Sequence, residues 1–287
     1  MNGMRQFLKN RILAWSGHTP GIERLARIQL YAVLLSRLYD ARVGAAYGIT
    51  RRQKSLLLRK FQQVNWNIPS ATSWPLYVVL ATRIFEIDPC VRGAIIECGC
   101  YKGASTTALS LICSLAGRRL VVCDSFSGLP DDKGEKHFYP HLGMKTVYEP
   151  GLFAGHLDEV KSNISRWGNL PVCEFRVGFF TDSLRDLCQP LVFAFLDVDL
   201  LSSMKDCIRY IWPNLLDCAC VYTDDSCDME LVKIWFDREF WDEIGFPAPG
   251  YIGSGAGLPC MSVDYSGIGY ARKIAHPDAI LKATRFW

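Results

Sequence analysis

A chain of 287 residues with 49% hydrophobic side chains can bury the core of one large α/β domain and carry an appendage, so it is globular. Its 32 basic residues exceed the 29 acidic ones by only three, which leaves no electrostatic footprint for nucleic acid. Twelve cysteines fall inside strand and helix patterns, as Cys98, Cys123, Cys207 and Cys220 do, without a CxxC pair; they read as reduced core thiols of a cytoplasmic protein rather than a disulfide framework.

Residues 1–15 spread Arg5, Lys9 and Arg11 through the segment instead of setting a charged start before an apolar block, so no signal peptide is apparent. The longest apolar run, residues 28–35, is broken by Gln29 and is far too short for an integral membrane segment. Residues 1–70 form a helical N-terminal extension, in which Ile22, Leu25, Ile28, Leu30 and Val33 recur at helical spacing among Arg24, Arg27 and Arg37. The extension is expected to pack on the main domain, to cover its site in part, or to join two copies as a homo-oligomeric dimer. A turn-rich link leads to a helix over 75–85 with Pro75 in its first turn.

The main domain, 71–287, is organised around AIIECGCYKGASTTALSLI at 94–112: a buried strand over 94–98, a turn over 99–103, and a helix opening near Ser105. A dinucleotide fingerprint needs GxGxxG with a bare second glycine, and Tyr101 stands there instead. A ring at that place obstructs a pyrophosphate but not S-adenosylmethionine (SAM), which carries none. The second apolar run, 120–123, ends in Asp124, whose carboxylate suits a ribose. Gly99 and Gly103 could equally do no more than shape a tight turn, with Asp124 as a cap.

Residues 125–155 lack regular pattern and hold Phe138, Tyr139, Tyr148 and Phe153, which predicts a lid at about 127–155. His137, His141 and His156 lie in or beside it as alternative bases. A helix over 157–167, a strand over 173–177 and a short helix within 179–187, capped by Thr181 or Asp182, follow. The run LVFAFL at 191–196 fits a strand buried on both faces. A helix over 202–212 stopped by Pro213, a strand over 219–223, a helix over 228–246 and a closing hairpin complete the chain. This alternation predicts a doubly wound, mostly parallel sheet with ligands outside the carboxyl ends of its strands.

Glu97, Asp124, Asp197, Asp199, Asp224 and Asp225 then converge on one rim, with Asp197 and Asp199 two apart and facing the same side. Crowded carboxylates repel unless a cation or protons intervene, and Mg²⁺ with waters is the natural remedy. Such a cation lowers the pKa of an alcohol and orients it toward a sulfonium methyl group.

At these residues the chain resembles the macrocin O-methyltransferase (TylF-like) family of class I SAM-dependent methyltransferases. The motifs are IIECGCYKGAS, VVCDSFSGLPDD, VGFFTDSL, FLDVDLLSSMKDCIRYIWPNL and the following TDD, over roughly residues 75–273. The resemblance implies a SAM- and Mg²⁺-dependent O-methyltransferase acting on a hydroxyl of a sugar or antibiotic-type natural product. It implies SAM contacts at Glu97, Gly99, Gly103, Asp124, Ser125 and Phe126, with Tyr101 and Ser105 in the same turn and Asp182 near the adenine. It also implies metal ligation by Asp197, Asp224 and Asp225, with Asp197 as general base and Asp199 as second choice. Where the family has LDGDLYES this chain has LDVDLLSS, so Val198, Leu201 and Ser202 change the acceptor side. Two rivals are a non-catalytic SAM-binding or scaffold protein of the same fold and an NAD-dependent oxidoreductase, the latter disfavoured by Tyr101.

Overall fold

The computed structural model describes residues 31–140, 143–253 and 267–274. Most of the apolar stripe expected in the extension, Ile22 to Leu30, lies outside the described residues, as does His141. Residues 31–38 are helical, and Val33 is more than half exposed, whereas Leu38 is buried. Helix α1 (Arg51–Asn67) opens on a capping box between Thr50 and Gln53 and buries Leu57, Phe61 and Val64, spaced four and three apart on one face. Each such side chain contributes roughly 1.5–3 kcal/mol on burial. Helix α2 (Trp74–Phe85) starts with Pro75 in its first turn, where a missing N–H costs nothing. Tyr47 is tied to the main domain by Arg118, whose buried guanidinium donates to the Tyr47 hydroxyl and to the carbonyls of Asp88, Val91 and Gly93.

The sheet runs β5-β2-β1-β6-β7-β8, parallel throughout except for β8. Its strands are β1 (Ala94–Cys98), β2 (Leu120–Asp124), β5 (Cys173–Val177), β6 (Leu191–Leu196), β7 (Leu215–Thr223) and β8 (Gly269–Arg272). Two cores cover its faces. Ile95 and Val122 face one core with α1, α2, α3 (Ala104–Ala116) and α4 (Leu157–Trp167); Ile96, Cys98 and Ala194 face the other, where Trp212, Trp235 and Trp241 pack. Every residue of β1 and β6 is buried, as a sheet covered on both sides requires.

Several boundaries differ from expectation. Thr181 and Asp182 cap nothing: α5 (Phe180–Ser183) has Phe179 at its N-cap and no side-chain cap. Helix α6 (Leu201–Asn214) runs one residue past Pro213, and the Asn214 side-chain amide there donates to the Tyr210 carbonyl at 2.8 Å and to the Leu187 carbonyl at 2.9 Å. Strand β7 therefore starts at Leu215, and β6 advances from 191 to 193 while β7 advances from 215 to 220, with Cys218 in a left-handed bulge. The expected helix over 228–246 is broken into α7 (Met229–Lys233), a 3₁₀ turn and α8 (Arg238–Glu243), since extended Asp237 accepts from the Phe240 amide and starts a new helix. Of the expected closing hairpin, the described residues show β8, which pairs antiparallel with β7, and one bridge from Ile252 to Tyr270; 254–266 lie outside the described residues. The expected irregular lid contains a short hairpin, β3 (His137–Tyr139) and β4 (Met144–Thr146).

Candidate functional site

After β1 the chain winds outward to β2 and β5, then returns to place β6 on the other side of β1. That reversal leaves a crevice outside the carboxyl ends of β1 and β6, and a cleft of about 350 Å³ lies there. Its walls are the turn at Gly99, Cys100 and Tyr101 and the turn at Asp197, Val198 and Asp199. The first turn needs left-handed backbone at three alternate residues, Gly99, Tyr101 and Gly103 (φ 83°, 46° and 82°). Two are glycines, and the tyrosine between them rests its ring on Phe153, 5.9 Å away, in the segment expected to be a lid.

Asp124 closes β2 and staples the two strand ends together. One oxygen accepts from the Cys100 amide and the other from the Phe126 amide, each at 2.7 Å. The remaining lone pairs are available on the cleft wall, where a ribose diol fits them. Ser105 and Ser125 also line the cleft. Gly103 does not; it packs against Val160, and Phe126 turns into the core against Phe175. Asp182 lies outside, paired with Arg185 at 2.8 Å, while its neighbours Phe179, Phe180 and Thr181 line the cleft. Pro69, Ser70 and Ala71 of the link are lining residues that no sequence pattern pointed to.

Glu97 sits under the turn, fully buried, with neither carboxylate oxygen hydrogen-bonded. Burial pushes it up from 4.5 to about 7, against the nearby Ser105 and Thr106 hydroxyls. A buried acid lacking partners beneath a SAM-type turn is what a cationic ligand group would satisfy. The raised value means that the folded protein holds this proton more tightly than the unfolded chain. The stability that this group contributes is therefore fully present below about pH 4.5 and is lost as pH rises toward 7. Glu97→Gln should remove that slope: urea unfolding at pH 8 is expected to show a gain of about 3 kcal/mol over wild type, with no gain at pH 4.5. SAM affinity should fall by about tenfold in the same variant; equal stability at pH 8 would refute the buried-charge account.

At the cleft's second wall, Asp197 and Asp199 are met from behind by Asp225, each of the three offering an oxygen within 4.8 Å of the others. The converging set thus contains Asp199 where the resemblance implied Asp224; Asp224 is buried beside it and raises Asp197 by its charge. Asp197 and Asp199 do not meet through the pleat of an extended strand. β6 ends at Leu196, and left-handed Asp199 (φ 59°) swings its carboxylate back. Burial foremost, then neighbouring carboxylates, raise Asp197 and Asp225 far above the carboxylate range. Asp199 is pushed to about 7, burial again leading and His137 opposing. One Asp225 oxygen is buried without a hydrogen bond. Three hard oxygen donors converging with an unsatisfied atom among them fit a small divalent cation.

His137 meets Asp228 at 2.6 Å, both side chains fully buried, whereas His156 is exposed before α4. Glu135 accepts from the amides of Leu201 and Ser202, at the changed LDVDLLSS loop. Glu135 and Asp228 were not singled out by sequence; only the N-cap position of Asp228 before α7 was readable there.

The strand order, the switch-point cleft and the turn over 99–103 define a Rossmann-like sheet of the class I SAM-methyltransferase type. The macrocin O-methyltransferase (TylF) family matches residues 82–249, more than half of the chain, and the chain belongs to that family. It is 30% identical over 140 residues to the 8-demethyl-8-(2,3-dimethoxy-alpha-L-rhamnosyl)-tetracenomycin-C 4'-O-methyltransferase of Streptomyces olivaceus, a match covering 47% of this chain. The match spans about half (53%) of that relative's length. Among solved structures, the O-methyltransferase NovP superposes with a TM-score of 0.58 at 18% identity, over 77% of this chain and 97% of NovP. The calicheamicin methyltransferase CalS11 gives 0.45 at 14% identity, over 78% and 94%. Among the described residues no helix is long and apolar enough to cross a membrane.

Proposed function

We propose that the protein is a SAM-dependent O-methyltransferase that uses Mg²⁺ and methylates a hydroxyl of a small sugar-bearing or antibiotic-type natural product. The observation that carries this is the meeting of Asp197, Asp199 and Asp225 beside a cleft whose opposite wall is the turn over 99–103. Family membership and the rhamnose-containing name of the Streptomyces relative support the acceptor class.

Glu97, Asp124 and the backbone at Gly99 would orient SAM with its methyl group toward the second wall. Asp197, Asp199 and Asp225 would hold the cation, and when bound it supplies charge that lowers the acceptor hydroxyl's pKa and fixes its direction. Asp199, which lines the cleft beside where the acceptor would lie, is placed to take the hydroxyl proton. SAM would supply the electrophilic methyl group, which the deprotonated acceptor oxygen would receive with S-adenosylhomocysteine as the by-product. Val198 and Ser202 line this side of the cleft, where they put a bulkier apolar side chain in place of the family's glycine and a small uncharged one in place of its glutamate. The chain is read as a cytoplasmic protein that dimerises through its N-terminal extension.

Calorimetry should show saturable SAM binding, and mass spectrometry should show methyl gain on members of a panel of rhamnosylated and other glycosylated polyketides. Prior treatment with a chelator is expected to lower the rate by at least about a hundredfold, restored by Mg²⁺. SAM binding without any methylated product would favour the scaffold reading.

A further inference from the structure

The lid is fastened at its base and at two further points. The Leu129 amide donates to the Leu152 carbonyl at 2.9 Å and the Gly151 amide donates to the Leu129 carbonyl at 2.8 Å, so both ends of the segment are held together. Beyond that base, Glu135 and His137 are two residues apart and reach different loops. Glu135 accepts from the amides of Leu201 and Ser202, at 2.8 and 3.0 Å, which open α6 just after Asp197 and Asp199. His137 and the Phe138 amide take the two oxygens of Asp228, at 2.6 and 3.1 Å, three residues after Asp225.

Neither attachment is incidental to the elements it touches. Helix α6 has Leu200 at its N-cap, no side-chain cap and no acid in its first turn, so its first amides have no acceptor of their own. The lid supplies the missing carboxylate. Asp228 caps α7 through the Glu230 amide at 3.0 Å, and among the described residues its contact with His137 is the one acid–base pair in which both side chains are fully buried. His137 Nε2 is buried without a partner, so Asp228 alone sets the ring, against which Tyr148 packs at 4.7 Å.

We propose that Glu135 and His137 are positioning residues by which the lid clamps the loops after β6 and β7, so that Asp197, Asp199 and Asp225 reach cation-binding spacing only with the lid closed. The role of that spacing rests on the cation reading above; the clamp itself rests on the four lid contacts. Lifting the lid strips the start of α6 of its cap beside Asp199 and frees Asp228 beside Asp225, so both halves of the acidic cluster loosen together.

The test uses the full chain and substitutes one attachment while reading the other. His137→Ala should speed hydrogen exchange at the Leu201 and Ser202 amides, which it does not touch, by at least about tenfold, and Glu135→Ala should do the same over 226–230. Free Mn²⁺ measured by electron paramagnetic resonance should show affinity weakened about tenfold in each variant, and by less than the product in the double variant. Should His137→Ala fail to fold, half-buried Glu135→Gln carries the same two readouts. Exchange that rises only at the loop the substituted residue touches would overturn the clamp, as would unchanged Mn²⁺ affinity with faster exchange at both loops. Wild-type protein that takes up no Mn²⁺ would overturn the cation reading, and cross-loop exchange would then decide the clamp by itself.

Discussion

Asp225→Asn is expected to lower kcat by about three orders of magnitude, roughly 4 kcal/mol in the barrier, while leaving SAM affinity within about twofold. Asparagine keeps the shape and removes one negative charge from a group of three within 4.8 Å. Asp225 is the most enclosed of the three, and its unpartnered oxygen is the atom a cation would satisfy. SAM would lie against the turn over 99–103, and Asp225 does not line the cleft. Stability should move the opposite way. Burial first, then the charges of Asp199, Asp224 and Asp228, raise the Asp225 carboxyl in the folded state, so cation-free wild type loses stability as pH climbs above the ordinary aspartate range. The variant lacks that loss and should melt higher than wild type at pH 8 in chelator. Adding Mg²⁺ should then raise the wild-type Tm and leave the variant unmoved. Wild-type turnover by Asp225→Asn, or an equal Mg²⁺ shift in both proteins, would remove Asp225 from the cation site.

How much of this was readable in the chain depends on the distance over which each feature is decided. The run at 191–196 and the unit at 94–116 are settled by burial on two sides and by local turn chemistry, so their strands and helix stand where the apolar pattern puts them. Features settled by partners far along the chain were hidden. Pro213 looks like a stop, yet the turn that contains it is tied by the Asn214 side chain to Leu187, 27 residues back. Asp237 looks like a helical residue until it caps α8. The rim of carboxylates was legible as a set, because each follows an apolar strand. Its membership was not: whether Asp199 or Asp224 joins Asp197 and Asp225 depends on a left-handed residue after β6, and a period of two carries no information about it. Glu135 and Asp228 were invisible for a related reason, since each serves an element 66 or 91 residues away.

Gly99→Ala is expected to cost more than about 4 kcal/mol of stability and to abolish SAM binding, for two separable reasons. The first is conformational: φ is 83° at Gly99, and an L side chain in left-handed backbone costs about 1–2 kcal/mol. The second is steric. A Cβ on Gly99 would overlap the backbone carbonyl of Asp197, whose carbon would be 2.8 Å away. That carbonyl cannot retreat cheaply, because the Asp197 amide donates to Cys98 at 2.9 Å and Cys98 pairs with Leu196 across the two parallel strands. Room for a methyl group therefore comes only from parting β1 and β6 at their carboxyl ends, where the two walls of the cleft begin. Gly117→Ala separates the two contributions: Gly117 is also left-handed, at φ 60°, with nothing within 4 Å of a Cβ, so it carries the conformational cost of about 1–2 kcal/mol alone. Urea unfolding of both variants, with SAM titration of each, should show a modest loss with intact binding for Gly117→Ala and a melting point lower by about 10 °C without binding for Gly99→Ala. Equal losses in the two proteins would mean that the β1 turn and the Asp197 strand end are not held in contact through Gly99, and the cofactor wall would then be independent of the acidic wall facing it.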